Sequence, residues 1–361
     1  MRFTDYRTFR TAVGGRLLEL EIGKVCEQTN GQVMVRYGDT VVNVTVCMSK
    51  DPRPGIDFFP LSCDYEEKMY SVGKIPGGFL KREGRASDNA IIRSRLMDRP
   101  LRPLFPKGFY NDVQVVATVM SNDLDCSSEF CAMLGSSVAL SISDIPWDGP
   151  TAAVLVGRMD GQLVINPTLE QREQGDINMY VAGTKEAVMM VEADANEVPE
   201  MDMLDAIMFA HEEISNLCVF IDEIVAEIGR PKMQIEFYKP CADIEAECRE
   251  KFSAEYRKTV QNGDKLERLA NMEALDAEAL DYFVNKYPEA DFDLAKDVSS
   301  IMYDIRRETV RNMILDEGIR PDDRKLNEVR SVWCETGVLP RVHGTGLFKR
   351  GQTQVLSACT L

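Results

Sequence analysis

Asn30-Gly31-Gln32-Val33-Met34-Val35-Arg36-Tyr37-Gly38-Asp39-Thr40 decides the fold, because a second stretch repeats its frame. That second stretch is His343-Gly344-Thr345-Gly346-Leu347-Phe348-Lys349-Arg350-Gly351-Gln352-Thr353. Both follow G-x-x-apolar-x-(Arg/Lys)-x-G-x-T, and each leads into a Val-containing run. Upstream, Glu21-Ile22-Gly23 matches Glu335-Thr336-Gly337 with a one-residue slip. Asn30-Gly31 reads as a hairpin dipeptide, and Thr40 to Met48, rich in Val and Thr, reads as a strand. A repeated sheet-forming unit predicts two related cores in one chain. The second copy breaks off at Leu361, inside its expected second strand, where an open edge would have no core to cover it. The expectation is a piece of a longer protein.

Between the two copies the pattern changes twice. Leu17, Leu18, Leu20 and Ile22 open an antiparallel meander. Phe58-Phe59-Pro60-Leu61 suggests a short strand interrupted by proline, and Val113 to Met120 a buried strand. Phe130 to Ile142, with Gly135, reads as a closely packed helix. Asp160-Gly161 and Gly183-Thr184-Lys185 lie between apolar runs and predict two further hairpins. Leu204, Ile207, Met208, His211, Ile214, Cys218, Ile221, Val225 and Ile228 recur at helical spacing from about Pro199, and Gly229 with Pro231 ends that helix. His211, on the apolar face, reads as a satisfied core histidine. From about Ala242 to Glu317 strand-forming runs vanish. Ile244, Cys248, Phe252 and Tyr256, then Ile301, Met302, Ile305 and Met313, mark an all-helical segment of about four short helices with a solvated acidic surface.

The chain has 361 residues, enough for two or three domains. It carries 59 acidic against 42 basic residues, a formal net charge of −17, so any polyanion site must be focused. No apolar run reaches the roughly 18 residues of a membrane span. The N-terminal MRFTDYRTFR has charges where a signal peptide needs an apolar stretch, and a cytoplasmic protein is expected. The 10 cysteines form no CxxC pair and read as reduced, small apolar core residues. With two histidines a His-rich metal site is excluded, and a metal would be a hard cation on carboxylates and phosphate.

Against that acidic background stands a basic island. From Lys68 to Lys107, ten Lys and Arg residues face only Glu83, Asp88 and Asp98. Its first half, Gly73-Lys74-Ile75-Pro76-Gly77-Gly78-Phe79-Leu80-Lys81-Arg82-Glu83-Gly84, reads as a loop in which Pro76 sets one turn dihedral and Gly77 or Gly78 supplies a positive φ. Phe79 and Leu80 then precede Lys81 and Arg82, an arrangement that suits single-stranded RNA, with a base on the ring and phosphates on the cations. The competing reading tucks Phe79 into the core. The second half is a helix capped by Ser87 and expected to stop before Pro100, with Arg102 held extended between Pro100 and Pro103. Arg85, Arg93, Arg95, Arg99 and Arg102 are candidate phosphate contacts, or else partners of carboxylates such as Asp98, Asp64 and Glu66.

Phe58 to Leu61, Gly73 to Arg85, Asp98-Arg99-Pro100-Leu101-Arg102-Pro103-Leu104-Phe105-Pro106, Gly337-Val338-Leu339-Pro340-Arg341-Val342-His343-Gly344 and Leu347 to Gln354 together resemble the bacterial polynucleotide phosphorylase family, in family order. The resemblance implies an α+β fold: a ribonuclease-PH-like core with ribosomal-S5-domain-2-like layers over 1–229, an all-helical domain over 240–316, and the incomplete start of a second such core over 318–361. It implies processive, phosphate-dependent 3′→5′ degradation of single-stranded RNA, with inorganic phosphate as co-substrate and nucleoside diphosphates as products. Mg2+ or Mn2+ and the catalytic residues would belong to the second core, beyond Leu361. A homotrimeric ring and RNA-degradation assembly proteins are the implied partners. Phe79-Leu80-Lys81-Arg82 matches the family's channel constriction but departs from its Phe-Phe-Arg-Arg at Leu80 and Lys81. One stacking platform is lost and one guanidinium fork becomes a point charge. The alternative class is a non-catalytic RNA-binding or ring-assembly protein of the same superfamily.

Overall fold

The computed structural model describes residues 6–290 and 293–361, so the first five residues of the charged N-terminal segment lie outside the described residues. The chain divides into two compact units, one ending at Tyr238 and the other running from Lys239 to Leu361. No helix among the described residues is long and apolar enough to cross a membrane.

In the first unit β1 (Arg7–Val13), β2 (Arg16–Ile22), β3 (Gly31–Tyr37) and β4 (Thr40–Met48) form the expected meander, one strand longer at its start than the sequence suggested. Alternation sends Leu18, Leu20, Val33, Val35, Val42, Val44 and Val46 to one face, where all are fully buried. Tyr37 pairs with Thr40 across a two-residue turn at Gly38-Asp39, and Gly38 is left-handed. Asn30-Gly31 is not such a turn. The Asn30 amide donates to Asp144 (2.9 Å) and its oxygen accepts from the Met48 N–H (3.0 Å), while a Cβ on Gly31 would lie 2.2 Å from the Ala139 carbonyl oxygen. Glycine is required there by the approach of two backbones.

β5 (Leu61–Glu67) leads through α1 (Asp88–Leu101) to β6 (Val113–Ser121), parallel to β5, giving the order β1-β2-β3-β4-β6-β5. α2 (Ser128–Ile142) packs on β3, β4 and β6 and is buried along its whole length. Its other side meets a second sheet, β10-β9-β7-β8, built from β7 (Ala152–Met159), β8 (Gln162–Ile165), β9 (Ile177–Gly183) and β10 (Val188–Ala195). α3 (Leu169–Gln174) links β8 to β9, and α4 (Glu200–Ile228) covers β7 and β9. The Asp160-Gly161 hairpin is as expected, both residues having positive φ. His211 is half-buried with Nε2 3.1 Å from the Thr184 carbonyl oxygen. Residues 230–238 run back along the core: the Arg230 N–H donates to Ile142 O and the Tyr238 N–H to Gly108 O. Lys232 donates to the Leu140, Ser141 and Ser143 carbonyls at the end of α2, and burial pushes its ammonium down to about 8 against the pull of Asp144.

Two expectations are corrected here. Phe58 to Pro60 are not strand; β5 begins at Leu61, and Phe59 joins Phe105 and Phe109 in an aromatic cluster (4.5 and 5.3 Å between centroids). α1 does not stop before Pro100 but runs through it to Leu101, and Arg102 is helical (φ −56°, ψ −44°) rather than extended. Pro100 stands in the last turn, where it forfeits a single N–H bond and buries its ring. The end is satisfied by Trp147, whose indole N–H donates to the Leu101 carbonyl (3.0 Å), and by the Arg102 N–H on Asp98 O.

The second unit begins with α5 (Ala242–Thr259), α6 (Lys265–Lys286) and α7 (Leu294–Asp316), three long helices where about four short ones were expected. Ile244, Cys248, Phe252, Tyr256, Ile301, Met302, Ile305 and Met313 are buried in one cluster, as the spacing predicted. β11 (Val332–Thr336), β12 (Gly344–Arg350) and β13 (Thr353–Cys359) then repeat β2-β3-β4 in register. Glu335 faces Leu347 as Glu21 faces Met34, and Arg350 pairs with Thr353 as Tyr37 does with Thr40. Phe348 (41% exposed) and Val355 (52%) occupy the places of the buried Val35 and Val42. The cysteines are all free; Cys126, Cys131, Cys218 and Cys248 are core residues, but Cys26, Cys47, Cys334 and Cys359 are exposed, against expectation. Burial pushes the Cys218 and Cys248 thiols up to about 12, which keeps them protonated and inert.

Gly31→Ala is expected to lower stability by about 1–3 kcal/mol, because backbone must move to admit the methyl group. Gly84→Ala, where nothing lies within 4 Å, is the comparison. Denaturant melts giving equal midpoints for the two variants would contradict the close-approach account.

Candidate nucleic-acid interface

The loop after β5 is tied down at its base and open at its tip. A single 3-10 turn, Met69–Val72, ends at a left-handed Gly73, and the Met69 N–H donates to Glu83 (2.9 Å), clamping the two ends of the loop. Asn122 N–H donates to Ser71 O, fixing the turn beside β6. Ser87 is the expected N-cap of α1: its hydroxyl accepts from the Ala90 N–H (3.0 Å) and donates to Glu67 (2.9 Å). The reversal itself differs from the sequence reading. Pro76, Gly77 and Gly78 all lack positive φ; the Lys81 N–H instead closes on Gly78 O (3.0 Å), placing Phe79 and Leu80 at the corner, and Lys81 takes the left-handed conformation (φ 51°). Two flexible glycines before the corner let the turn form around the apolar pair.

Phe79 is 99% exposed and Leu80 73% exposed, so the ring does not tuck into the core. Leaving a phenyl ring wholly in water costs burial free energy that a binding partner can return. Lys81, Arg82 and Arg85 are exposed beside it and make no ion pair among the described residues, and neither does Lys74. A ring with adjacent unpaired cations is the arrangement on which a nucleic-acid base stacks while its phosphates meet the charges.

The arginines of α1 divide. Arg93 is bridged to Glu67 and to the buried Glu129 (2.6 Å), with its guanidinium 5.5 Å from the centre of the Tyr65 ring. Burial works against this cation, but the Glu129 and Glu67 carboxylates hold its pKa above the ordinary arginine value. Burial likewise keeps the Tyr65 phenol neutral, and it donates to the Ser128 hydroxyl (2.9 Å). Arg99 meets Glu192 on β10 (2.5 Å). Arg102 holds Asp98 (2.8 Å) and donates to the Leu61 carbonyl (3.1 Å). These three brace the fold, and of the arginines on this helix only Arg95 is exposed and without a partner among the described residues. Asp98 was legible as a partner by its i,i+4 spacing; Glu129 and Glu192 were not, since neither is near in sequence. Among the described residues no three His, Cys, Asp or Glu side chains lie together in a way that could hold a metal ion.

Comparison with known proteins agrees with the fold. Residues 14–146 match the 3′ exoribonuclease family, domain 1, and residues 149–213 match domain 2 of the same family. Residues 242–325 match the polyribonucleotide nucleotidyltransferase RNA binding domain. Polyribonucleotide nucleotidyltransferase 1 of Alkaliphilus metalliredigens (strain QYMF) is 53% identical over 355 residues, covering 98% of this chain and 50% of that protein. The polyribonucleotide nucleotidyltransferase of Clostridioides difficile (strain 630) is 54% identical over 357 residues, covering 99% and 51%. Among solved structures, rice (Oryza sativa) Rrp46 aligns at 15% identity and a TM-score of 0.47, over 62% of this chain and 96% of that one. The protein is thus of the ribonuclease-PH class, a β/α core followed by a helical module. Within that class the chain belongs to the polyribonucleotide nucleotidyltransferase family, and it spans about half the length of the curated relatives it matches.

Arg93→Met is expected to cost about 1–3 kcal/mol, because it leaves the buried Glu129 carboxylate without its cation. Arg95→Met should leave the thermal midpoint unchanged. A melting temperature that falls equally for both would refute the division of these arginines.

Proposed function

We propose that this chain forms the RNA-gripping part of a polyribonucleotide nucleotidyltransferase that degrades single-stranded messenger RNA 3′→5′ by phosphorolysis, releasing nucleoside diphosphates. The observation that carries this reading is Phe79, wholly exposed at a turn whose base is pinned, with unpaired Lys81 and Arg82 alongside. Identity above 50% to relatives of that name across nearly the whole chain supports it. In this reading a base stacks on Phe79, and Lys81 and Arg82 neutralise flanking phosphates. Leu80 offers apolar contact but no second π-face, and Lys81 is a point charge rather than a fork, so the strand is held loosely enough to slide. Arg85 and Arg95 extend the phosphate track.

The same reading includes a homotrimeric ring with these loops around a central opening, inorganic phosphate as co-substrate, and a cytoplasmic location among RNA-degradation assembly proteins. Free cysteines suit a reducing compartment. When bound, Mg2+ or Mn2+ would stabilise charge on the transferring phosphoryl group. The described residues offer no cluster for such an ion, so its ligands are proposed to lie in the remainder of a complete second core.

In the full-length protein, Lys81→Ala with Arg82→Ala should weaken poly(A) binding and reduce the salt slope, log Kd against log salt, by about 1.4, two contacts at roughly 0.7 each for a single strand. Phe79→Ala should lose about 1–3 kcal/mol of binding with the salt slope unchanged. Affinity and slope that stay at the parent values in both variants would sink the channel-loop assignment. Phosphate-dependent release of ADP from poly(A), compared between this chain and the full-length protein, tests where the chemistry resides.

A further inference from the structure

The helical unit carries a second concentration of positive charge. Arg268 on α6 and Arg306, Arg307 and Arg311 on α7 line one cavity of about 560 Å³, and no Asp or Glu is among its lining residues. Glu308 on α7 pairs with Arg249 (2.6 Å), and Glu317, just past its end, pairs with Arg257 (2.5 Å), both arginines on α5. Arg306, Arg307 and Arg311 consequently make no ion pair among the described residues, in a chain of net charge −17. A neighbouring cavity of about 410 Å³, which Arg268 also lines while donating to the Asn262 carbonyl, shows the ordinary alternative, with Asp264 and Asp322 set against its arginines.

The rest of the cavity is apolar and aromatic. Met272, Val310 and Ile314 form its floor. Tyr303, 55% exposed, stands at one end with the Arg306 guanidinium 5.2 Å from its ring centre. Spacing makes this one face of α7, since positions 303, 306–307, 310–311 and 314 recur every three or four residues. The volume is that of a small-molecule site, and an apolar lining with a few convergent polar groups is the usual composition of one.

We propose that this cavity binds a nucleoside di- or triphosphate, with the base against Tyr303 and the apolar floor and the phosphates on Arg268, Arg307 and Arg311. Charge density selects this ligand over an RNA segment. RNA brings one negative charge with each nucleotide, whereas four guanidinium groups around one nucleotide-sized cavity are matched by several phosphates on a single base. Guanidinium forks hold such phosphates bidentately. The site is separate from the Phe79 loop, and the proposal stands whether or not that loop grips RNA.

Isothermal titration calorimetry of the whole chain, without divalent cations, compares ADP, AMP, adenosine and a four-nucleotide oligoadenylate. ADP should bind about tenfold or more tighter than AMP, roughly one charge-assisted contact, with adenosine weakest. Arg307→Ala with Arg311→Ala should weaken ADP by at least about tenfold, and Arg307→Lys with Arg311→Lys by less. Both pairs are exposed helix positions where these residues keep good helix propensity, so melting curves should not move. Equal affinities for ADP and AMP would overturn the proposal, as would ADP binding that ignores the alanine pair. An oligoadenylate that binds more tightly than ADP and is lost in the alanine pair would overturn it too, making the cavity an RNA contact.

Discussion

The first unit depends on how closely α2 can lie against the six-stranded sheet. All fifteen of its residues are buried, because it is covered by sheet on both sides. A helix so enclosed has no water for its ends, and each end is answered by a specific group: Ser127 at the N-terminus, Lys232 and the Arg230 N–H at the C-terminus. The approach itself rests on missing side chains. A Cβ at Gly31 would strike the Ala139 carbonyl, and one at Gly135 would lie 2.6 Å from Val44 and 2.9 Å from Val35. With α2 seated, the apolar faces of β3 and β4 close, and β5 and β6 are set at the far edge, from which the Phe79 loop departs.

The basic island shows how one charge pattern serves two purposes. Along α1 and just past its end the cations are consumed by the fold: Arg93 by Glu67 and Glu129, Arg99 by Glu192, Arg102 by Asp98. At the tip, Lys81 and Arg82 find no carboxylate because the short backbone turn carries them away from the core. Paired arginines give a rigid platform, and a rigid platform lowers the ordering cost of binding at the exposed residues above it. The physical contrast is between a guanidinium whose charge is already answered and one whose charge is still available.

The two copies of the three-stranded unit make a similar point about burial. Register and turn position agree between β2-β3-β4 and β11-β12-β13, so local sequence suffices to build the hairpins. Val35 and Val42 are nevertheless fully buried, whereas Phe348 and Val355 are not. Alternation decides which face is apolar; a packed helix decides whether that face is dry.

Sequence alone determined the elements whose signals are local: the repeat, the Asp160-Gly161 hairpin, the α4 periodicity from Leu204 to Ile228, the Ser87 cap, and the placing of Phe79 beside Lys81 and Arg82. Each of these rests on neighbours within about one helical turn or one hairpin, where spacing dictates geometry. Tertiary structure decided the rest. It carried α1 through Pro100 to Leu101, where Trp147, distant in sequence, donates to the Leu101 carbonyl at the helix end. It made Gly31 a contact point instead of a turn, since Ala139 lies across the sheet–helix interface. It also settled which arginines are free, on α1 as on α7, because an ion pair depends on where remote carboxylates arrive and not on how many the chain contains.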